Sequence, residues 1–427
     1  MKTKTNIKRR SFVKLIGAAG TLAASGGAGA LARAAETPGE KGLAAAPRPL
    51  VDGTPAVFAP AAHSATIAWT VNRAALGWVE YGASADRLDL KGGGDADGFT
   101  PHDERILKVR LQGLAAGTRY WWRCVTRELT DKGDAPPPVA SRIYSFSTLA
   151  PAAAETRFVM WNDTHDREET LARLAALTQG GDAPPADFLM WNGDIVRRNN
   201  TDASMIPGVY VHPRGGVDLA KGPPVLLTRG NHDVRGLWAN KVGDFVDFPD
   251  THEGGARRPF YAFRSGPLGA IVLDTGEDKP DRHPSFYGTA AFEPLIAEQA
   301  RWLEKIIERP DLKNAPVKAV FCHIPLRWVD EKPQDYFAKP AGFDRFSRRG
   351  RDAWHASLVK WGARVIISGH VHRWTHIPAD SAFPYAQVTG SGPEPERARL
   401  IRGHVTKAGI KLAAFDMDGR EVAAVAF

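Results

Sequence analysis

Hydrophobic and polar residues alternate with the short period of β-strands in the first third of the chain. Turn residues separate the alternating runs, and each run fits a strand with one buried face. The runs span residues 65–71, 77–81, 106–111, 119–125 and 144–148. This pattern predicts an all-β sandwich over residues 51–150.

A spaced set of residues leads into the fourth of these runs. Leu111, Leu114, Gly117 and Thr118 precede Tyr120 at the spacing of a tyrosine corner. In fibronectin-type sandwiches, the hydroxyl of such a tyrosine hydrogen-bonds to backbone a few residues upstream. The predicted sandwich therefore resembles a fibronectin III domain.

Beyond residue 150 the pattern changes to short apolar runs alternating with amphipathic stretches. Fully apolar runs of this length are typical of buried strands. They span residues 157–161, 187–191, 224–228, 270–273, 317–321 and 365–368. The amphipathic stretches 170–177 and 291–309 predict helices, and the second carries Gln299 on its otherwise apolar face. This alternation predicts an α/β domain over residues 151–427.

The first 35 residues have the layout of a twin-arginine secretion signal. Arg9 and Arg10 precede a weakly apolar stretch, 15–31, and Ala32-Arg33-Ala34 fits a cleavage site between small residues. We expect a periplasmic or secreted protein that uses the Tat export machinery, with residues 36–50 as a linker. An uncleaved membrane anchor is disfavoured, because 17 residues rich in Gly and Ala make a poor spanning helix.

The signal also accounts for the basic character of the chain. The first 34 residues hold seven basic residues and no acid, so a net charge of +8 becomes +1 without them. A nearly neutral product argues against a nucleic-acid partner, and no stable membrane anchor is expected. Cys124 and Cys322 fall in different predicted domains, which argues against a disulfide.

Five polar clusters follow five of the strands predicted after residue 150. Open α/β sheets bind ligands at the carboxyl ends of their strands, and glycine beside a ligand permits close approach or positive φ. Each cluster alone also fits a solvated turn or a structural histidine, but the joint set indicates one site. The clusters are Asp163-Thr-His165, Gly193-Asp194, Gly230-Asn231-His232-Asp233, His323-Ile-Pro325 and Gly369-His370-Val-His372.

The residue types in these clusters suit a pair of metal ions. Imidazoles, carboxylates and an asparagine oxygen bind Zn, Fe, Mn or similar ions. A shared carboxylate can bridge two ions about 3.5–4 Å apart, which together hold the attacking and leaving oxygens of a displacement. Cys322 precedes His323 on a predicted strand, so it points to the opposite face and is expected in the core.

The clusters resemble the calcineurin-like metallophosphoesterase family over residues 157–376. A sandwich placed before such a domain resembles purple acid phosphatases and their bacterial relatives. The resemblance implies a β-sandwich core flanked by helices, two divalent or trivalent ions (Fe, Zn or Mn) and attack on phosphorus by metal-bound hydroxide. It implies first-metal ligands Asp163, His165 and His372, a bridging Asp194, second-metal ligands Asn231, His323 and His370, and a catalytic His232 beside the phosphate.

The chain departs from two branches of that family. Arg197 stands where protein phosphatases have an aspartate that supports the catalytic histidine, and where purple acid phosphatases have an iron-binding tyrosine. His165 stands where purple acid phosphatases have no histidine. These departures favour a member of the family outside those two branches. They also leave open which residue orients His232. Asp233 is adjacent, but neighbouring side chains seldom face each other.

The expected function is hydrolysis of a small-molecule phosphoester by an exported phosphatase with a dinuclear metal site. Two alternatives remain open: a phosphodiesterase or nucleotidase of the same family, and a non-catalytic, metal-stabilised binding protein of the envelope. Three long loops, 197–221, 236–261 and 325–349, are expected to determine substrate specificity. Their aromatic residues either stack on a substrate ring or pack the loops down, and nearby arginines are candidates for phosphate contacts. These residues are Trp238, Trp328, Tyr336 and Phe337, with Arg198, Arg229, Arg327 and Arg373.

Overall fold

The alternating residues of the first region form strands in a computed structural model. The model describes residues 48–94, 98–133, 136–180, 183–329 and 344–427; the predicted signal and most of the linker lie outside these ranges. The first nine strands are β1 (Val51–Phe58), β2 (Ser64–Val71), β3 (Ala75–Gly82), β4 (Leu90–Gly92), β5 (His102–Asp103), β6 (Ile106–Gln112), β7 (Arg119–Glu128), β8 (Val139–Ala140) and β9 (Tyr144–Ser147).

These strands enclose a hydrophobic core of their own. β4, β3, β7 and β8 form one sheet, with β5 paired to β3 and β9 paired to β7. β1, β2 and β6 run side by side in another sheet, and Trp69 and Trp122 are buried in the core that both sheets supply. The hydroxyl of Tyr120 accepts a hydrogen bond from the backbone N–H of Ala115 at 2.9 Å, which confirms the predicted tyrosine corner.

The second region alternates strands and helices as predicted. Its strands are β10 (Glu155–Trp161), β11 (Phe188–Asn192), β12 (Val225–Thr228), β13 (Tyr261–Ser265), β14 (Leu268–Leu273), β15 (Val317–Cys322), β16 (Val365–Ser368), β17 (Thr375–Ile377), β18 (Ala386–Thr389), β19 (Leu400–Thr406), β20 (Gly409–Phe415) and β21 (Glu421–Ala426). Its helices are α1 (Glu168–Gln179), α2 (Pro207–Tyr210), α3 (Val242–Phe245), α4 (Phe292–Ile306), α5 (Pro310–Lys313) and α6 (Asp344–Trp361).

Two sheets supply the core of this region. One has the strand order β21-β20-β19-β10-β11-β12-β1-β2-β6 and the other β13-β14-β15-β16-β18-β17. Phe158 lies between them, with its ring centroid 5.3 Å from that of Phe188 and 5.5 Å from that of Phe321. Helices α4 and α6 contribute Leu303 and Trp354 to a separate buried cluster on the six-stranded sheet. The predicted β-sandwich core with flanking helices is confirmed.

The nine-stranded sheet runs without a break from the first region into the second. β1 pairs in parallel with β12, and the backbone N–H of Ala59 donates to the carbonyl of Val225 at 2.9 Å. β2 is buried at all eight of its positions because its two faces contribute to different cores. The domain boundary at residue 150 stays a prediction.

Strand direction brings the five polar clusters to one edge. β10, β11 and β12 are parallel neighbours, and β15 and β16 are parallel neighbours in the facing sheet.

Both cysteines are buried and unbridged, and Cys322 lies in the cluster under α4 and α6, as predicted. Within the described part of the chain, no helix combines the length and the hydropathy needed to cross a membrane.

Candidate metal centre

The side chains that follow these strands meet in two overlapping groups. Asp163, His165, Asp194 and His372 place one potential donor atom each within 4.8 Å of one another, and so do Asp194, His323 and His370. Asp194 belongs to both groups and lies between them, which is the position of a bridging carboxylate. The structure thus brings together the carboxylates and histidines that the sequence nominated as metal ligands.

The backbone is strained where it delivers these side chains. Positive φ is uncommon for residues other than glycine and costs on the order of 1–3 kcal/mol each. The non-glycine residues of the site with positive φ are Asp163 (52°), His165 (49°), Asp194 (50°), His370 (70°) and His372 (54°). Such strain persists only where the surrounding structure holds it, and its concentration at one site indicates function.

Glycines let the loops approach each other closely, as expected. Gly193 has φ of 83°, and a Cβ atom built there would lie 2.5 Å from Nδ1 of His323. A Cβ atom on Gly230 would overlap the backbone nitrogen and a carboxylate oxygen of Asp194. Any larger residue would therefore push apart the strand ends that carry the donors.

Two imidazole nitrogens indicate that the site suits metal ions. Nε2 of His165 and Nε2 of His323 are buried and have no hydrogen-bond partner among the described residues. Nδ1 of His323 donates to the carbonyl of Asn192 at 3.0 Å, so Nε2 is the ring nitrogen that faces the site. This Nε2 is 3.2 Å from Oδ1 of Asp194. A buried imidazole nitrogen beside a carboxylate oxygen is a donor set that suits a cation.

The two aspartates are held as anions by the groups around them. Burial alone would raise the pKa of Asp194, but His323 and His165 outweigh it and hold that pKa well below its usual range. Burial lowers the pKa of His323, and the carboxylates of Asp194 and Asp163 overcome this and raise it to about 10. The backbone N–H of His370 donates to Asp163 at 3.0 Å, which fixes that carboxylate across the site.

Asn231 joins the second group through its side-chain oxygen. Oδ1 of Asn231 is 2.8 Å from Nδ1 of His370, so the asparagine oxygen lies beside a member of the second donor group. This placement agrees with the ligand position that the family resemblance implied for Asn231.

His232 lies at the edge of the centre and belongs to neither donor group. Its Nδ1 donates to the backbone carbonyl of Arg197 at 2.8 Å, which leaves Nε2 as the atom facing inward. Nε2 is 3.8 Å from Oδ2 of Asp194, and the His232 ring is half-buried. Arg197 therefore orients His232, through its main chain and not its side chain.

Asp233 has a structural role instead. Its carboxylate accepts hydrogen bonds from the backbone of Ile195 at 3.0 Å and Val196 at 3.1 Å, and from the hydroxyl of Tyr210 at 2.9 Å. The backbone N–H of Gly230 donates to its other oxygen at 2.8 Å. Asp233 thus links the loop that carries Asp194 to the loop that carries Asn231 and His232.

Sequence reasoning missed the polar loop that follows β14. Residues 274–279, called the β14 loop below, contain Asp274 and Glu277, which are buried, and Asp278, which is half-buried. Two signals for it were present. The acidic run follows a predicted strand, and Gln299 is a polar residue on an apolar helix face.

The loops predicted to determine substrate specificity partly pack into the core. Trp328 packs near the second donor group, with its ring centroid 5.9 Å from that of His370, whereas Trp238 is exposed. Arg229 is paired with Asp274 and Arg327 with Asp380, at 2.6 Å each, so each guanidinium already has a carboxylate partner. Arg198 is exposed, and Tyr336 and Phe337 lie outside the described residues.

The match to known proteins agrees with this architecture. The chain belongs to the calcineurin-like phosphoesterase family, whose model matches residues 156–374. It is thus a metal-dependent phosphoester hydrolase, and the predicted family is confirmed. No curated protein matches it in a sequence comparison.

Two solved structures share the fold over most of the chain. A purple acid phosphatase from yellow lupin (Lupinus luteus) seeds is 14% identical with a TM-score of 0.63, and the match covers 87% of this chain and 73% of that one. A structure of PhoD is 12% identical with a TM-score of 0.57, and the match covers 87% of this chain and 92% of that one. At these identities the likeness concerns the fold.

Proposed function

We propose that this protein is an exported phosphatase that hydrolyses a small-molecule phosphoester at a dinuclear metal centre. The observation that carries the proposal is the position of Asp194, which belongs to two donor groups at once. Asp163, His165 and His372 would hold one ion, and Asn231, His323 and His370 the other. Ions of Fe, Zn or Mn bound there would supply Lewis acidity and activate water.

The chain's own groups would carry out the remaining chemistry. His232 Nε2 faces the centre while Nδ1 is committed to the Arg197 carbonyl, so a proton or hydrogen bond at Nε2 can reach a leaving oxygen. The intact donor set argues against a non-catalytic binding protein, because such a protein would tolerate the loss of donors and would not need the strained backbone that delivers them.

Metal analysis with activity measurements tests the proposal. The natively exported protein should hold close to two metal ions per chain, lose turnover on treatment with a chelator and recover it when metal is restored. Because Arg197 replaces the iron-binding tyrosine, we expect no strong visible charge-transfer band. Aryl monoesters should be better substrates than aryl diesters, and the reverse would indicate a phosphodiesterase. One ion per chain, or a purple protein, would contradict the site as assigned.

Export is a separate part of the proposal and rests on residues 1–35. Changing Arg9 and Arg10 together to Lys should stop export and leave folded, active protein in the cytoplasm, because the twin-arginine route reads that pair. Cell fractionation with activity in each fraction measures this. Changing Lys2 and Lys4 to Arg is the matched control and should not affect export. Continued export of the Arg9/Arg10 variant would mean that another route reads the signal.

A further inference from the structure

The loop that carries Asn231 and His232 has an arginine on each side. Arg229 lies two residues before Asn231, and Arg235 lies three residues after His232. Both arginines are partly buried, and both reach the same neighbour, the β14 loop. Burying a guanidinium costs free energy, and its partners must offset that cost.

Asp274 holds the first arginine. Nε and Nη2 of Arg229 both contact Oδ2 of Asp274 at 2.6 Å, and the Asp274 side chain is fully buried. The other oxygen, Oδ1, accepts from the backbone N–H of Gly276 at 2.8 Å. The carboxylate therefore has a fixed orientation, and so does the guanidinium at the Asn231 end.

Glu277 holds the second arginine through a two-pronged contact. Nε and Nη2 of Arg235 donate to the two oxygens of Glu277 at 2.5 Å each, and Nη2 also donates to Asp278 at 3.0 Å. The backbone N–H of Arg235 donates to the carbonyl of His232 at 3.2 Å. This ion pair therefore lies one backbone hydrogen bond away from His232.

The β14 loop is itself fixed to two other elements. Gln299 of α4 accepts from the backbone N–H of Asp274 and donates to its carbonyl, at 2.8 Å in both cases. The hydroxyl of Thr275 accepts from the backbone N–H of Ile324, next to His323, at 3.2 Å. The β14 loop therefore connects the buried face of α4 to Arg229 and Arg235, which lie at the two ends of the loop that carries Asn231 and His232.

We infer that Asp274 and Glu277 are positioning residues for the proposed centre. Asp274, through Arg229, holds the Asn231 end of its loop. Glu277, through Arg235, holds the His232 end. The inference rests on the proposed function, since it assigns these residues to an Asn231 ligand and a His232 catalyst. It also assigns Arg229 and Arg235 to orienting the site.

Lysine variants of the two arginines test the inference without leaving a carboxylate unpaired. Lysine keeps the charge but lacks the planar fork of arginine, so the contact loses its geometry. Arg229→Lys should raise the dissociation constant for Zn²⁺ at one of the two sites about 10- to 100-fold, as loss of an outer-shell contact does. Arg235→Lys should leave Zn²⁺ binding unchanged and lower kcat on ethyl phosphate by up to about 100-fold.

The full-length protein, dialysed against a chelator and titrated with Zn²⁺ by calorimetry, gives the binding measurement without any substrate. Arg73→Lys is the matched control, because Arg73 makes the same fork to Glu128 at 2.6 and 2.9 Å in the sandwich. It should change neither quantity. If Arg235→Lys does not fold, Glu277→Asp replaces it, since it keeps the charge pair and shortens its reach.

The outcomes separate this inference from the proposed function. A wild-type protein that binds two Zn²⁺ ions and turns over phosphoesters, with folded variants that match it in both respects, would overturn the positioning role alone. Weaker Zn²⁺ binding by Arg235→Lys would overturn the assignment of Arg229 to the metal ligand and of Arg235 to the catalytic residue. A wild-type protein without paired metal binding or turnover would instead overturn the proposed function.

Discussion

Asp194→Asn is expected to remove metal and activity together. In the unmodified chain, Asp194 accepts a hydrogen bond from the backbone N–H of His232 at 2.9 Å. Asparagine has the same shape and keeps an oxygen that can accept this bond, so the fold should survive. The substitution removes the negative charge shared by the two donor groups. Loss of an outer-shell partner costs about 10- to 100-fold in metal affinity, and loss of this direct shared donor should exceed the upper end of that range.

Metal content after gel filtration and kcat/KM on an aryl phosphate measure the two effects. Asp418→Asn makes the same chemical change in an exposed turn and should leave both quantities unchanged. Asp194→Asn protein that is inactive yet retains two ions would show that Asp194 is not the shared ligand. Protein that loses one ion only would place Asp194 in a single donor group.

His232→Ala is expected to lose activity while keeping both ions. His232 lies outside both donor groups, so its removal leaves every proposed ligand in place. A general acid contributes roughly 10²- to 10⁴-fold in rate, and its contribution is greatest when the leaving group is a poor one. The defect should therefore be larger on ethyl phosphate than on 4-nitrophenyl phosphate, because nitrophenolate departs without a proton.

The ratio of the two rate losses decides the role of His232. An equal loss on both substrates would eliminate the general-acid role and leave a donor that stabilises charge. Metal loss comparable to that of Asp194→Asn would contradict the separation of ligand from catalyst. His404→Ala removes a histidine from an exposed position and serves as the control, with metal content and both rates unchanged.

Most of the fold follows from local patterns in the chain. Residues 365–368 were predicted as a strand and form β16 with those bounds, and the other predicted strands agree within a few residues. β4, β5, β8 and β17 were missed because each has only two or three residues, and β1, β13, β18 and β19 because their runs are interrupted or weakly patterned. α6 was missed because it is rich in charged residues and lies partly within a stretch read as a loop.

The donor residues were also readable from the sequence, because each directly follows a strand. The partners that orient them were not. Asp233 was the obvious neighbour for His232, yet the chain turns so that the carbonyl of Arg197, 35 residues away, accepts from Nδ1. A main-chain carbonyl has no sequence signature, since every residue carries one.

Local patterns in the chain specify the types of candidate donor, their order and the strands that present them. They do so because hydrophobic periodicity and glycine placement are local properties. The pairing of the arginines, in contrast, depends on the tertiary structure. Arg229 was a candidate for binding phosphate, but Asp274, 45 residues away, holds it at 2.6 Å. Ion pairs and backbone hydrogen bonds between distant loops depend on how the sheets pack, and packing brings together residues that no local pattern connects.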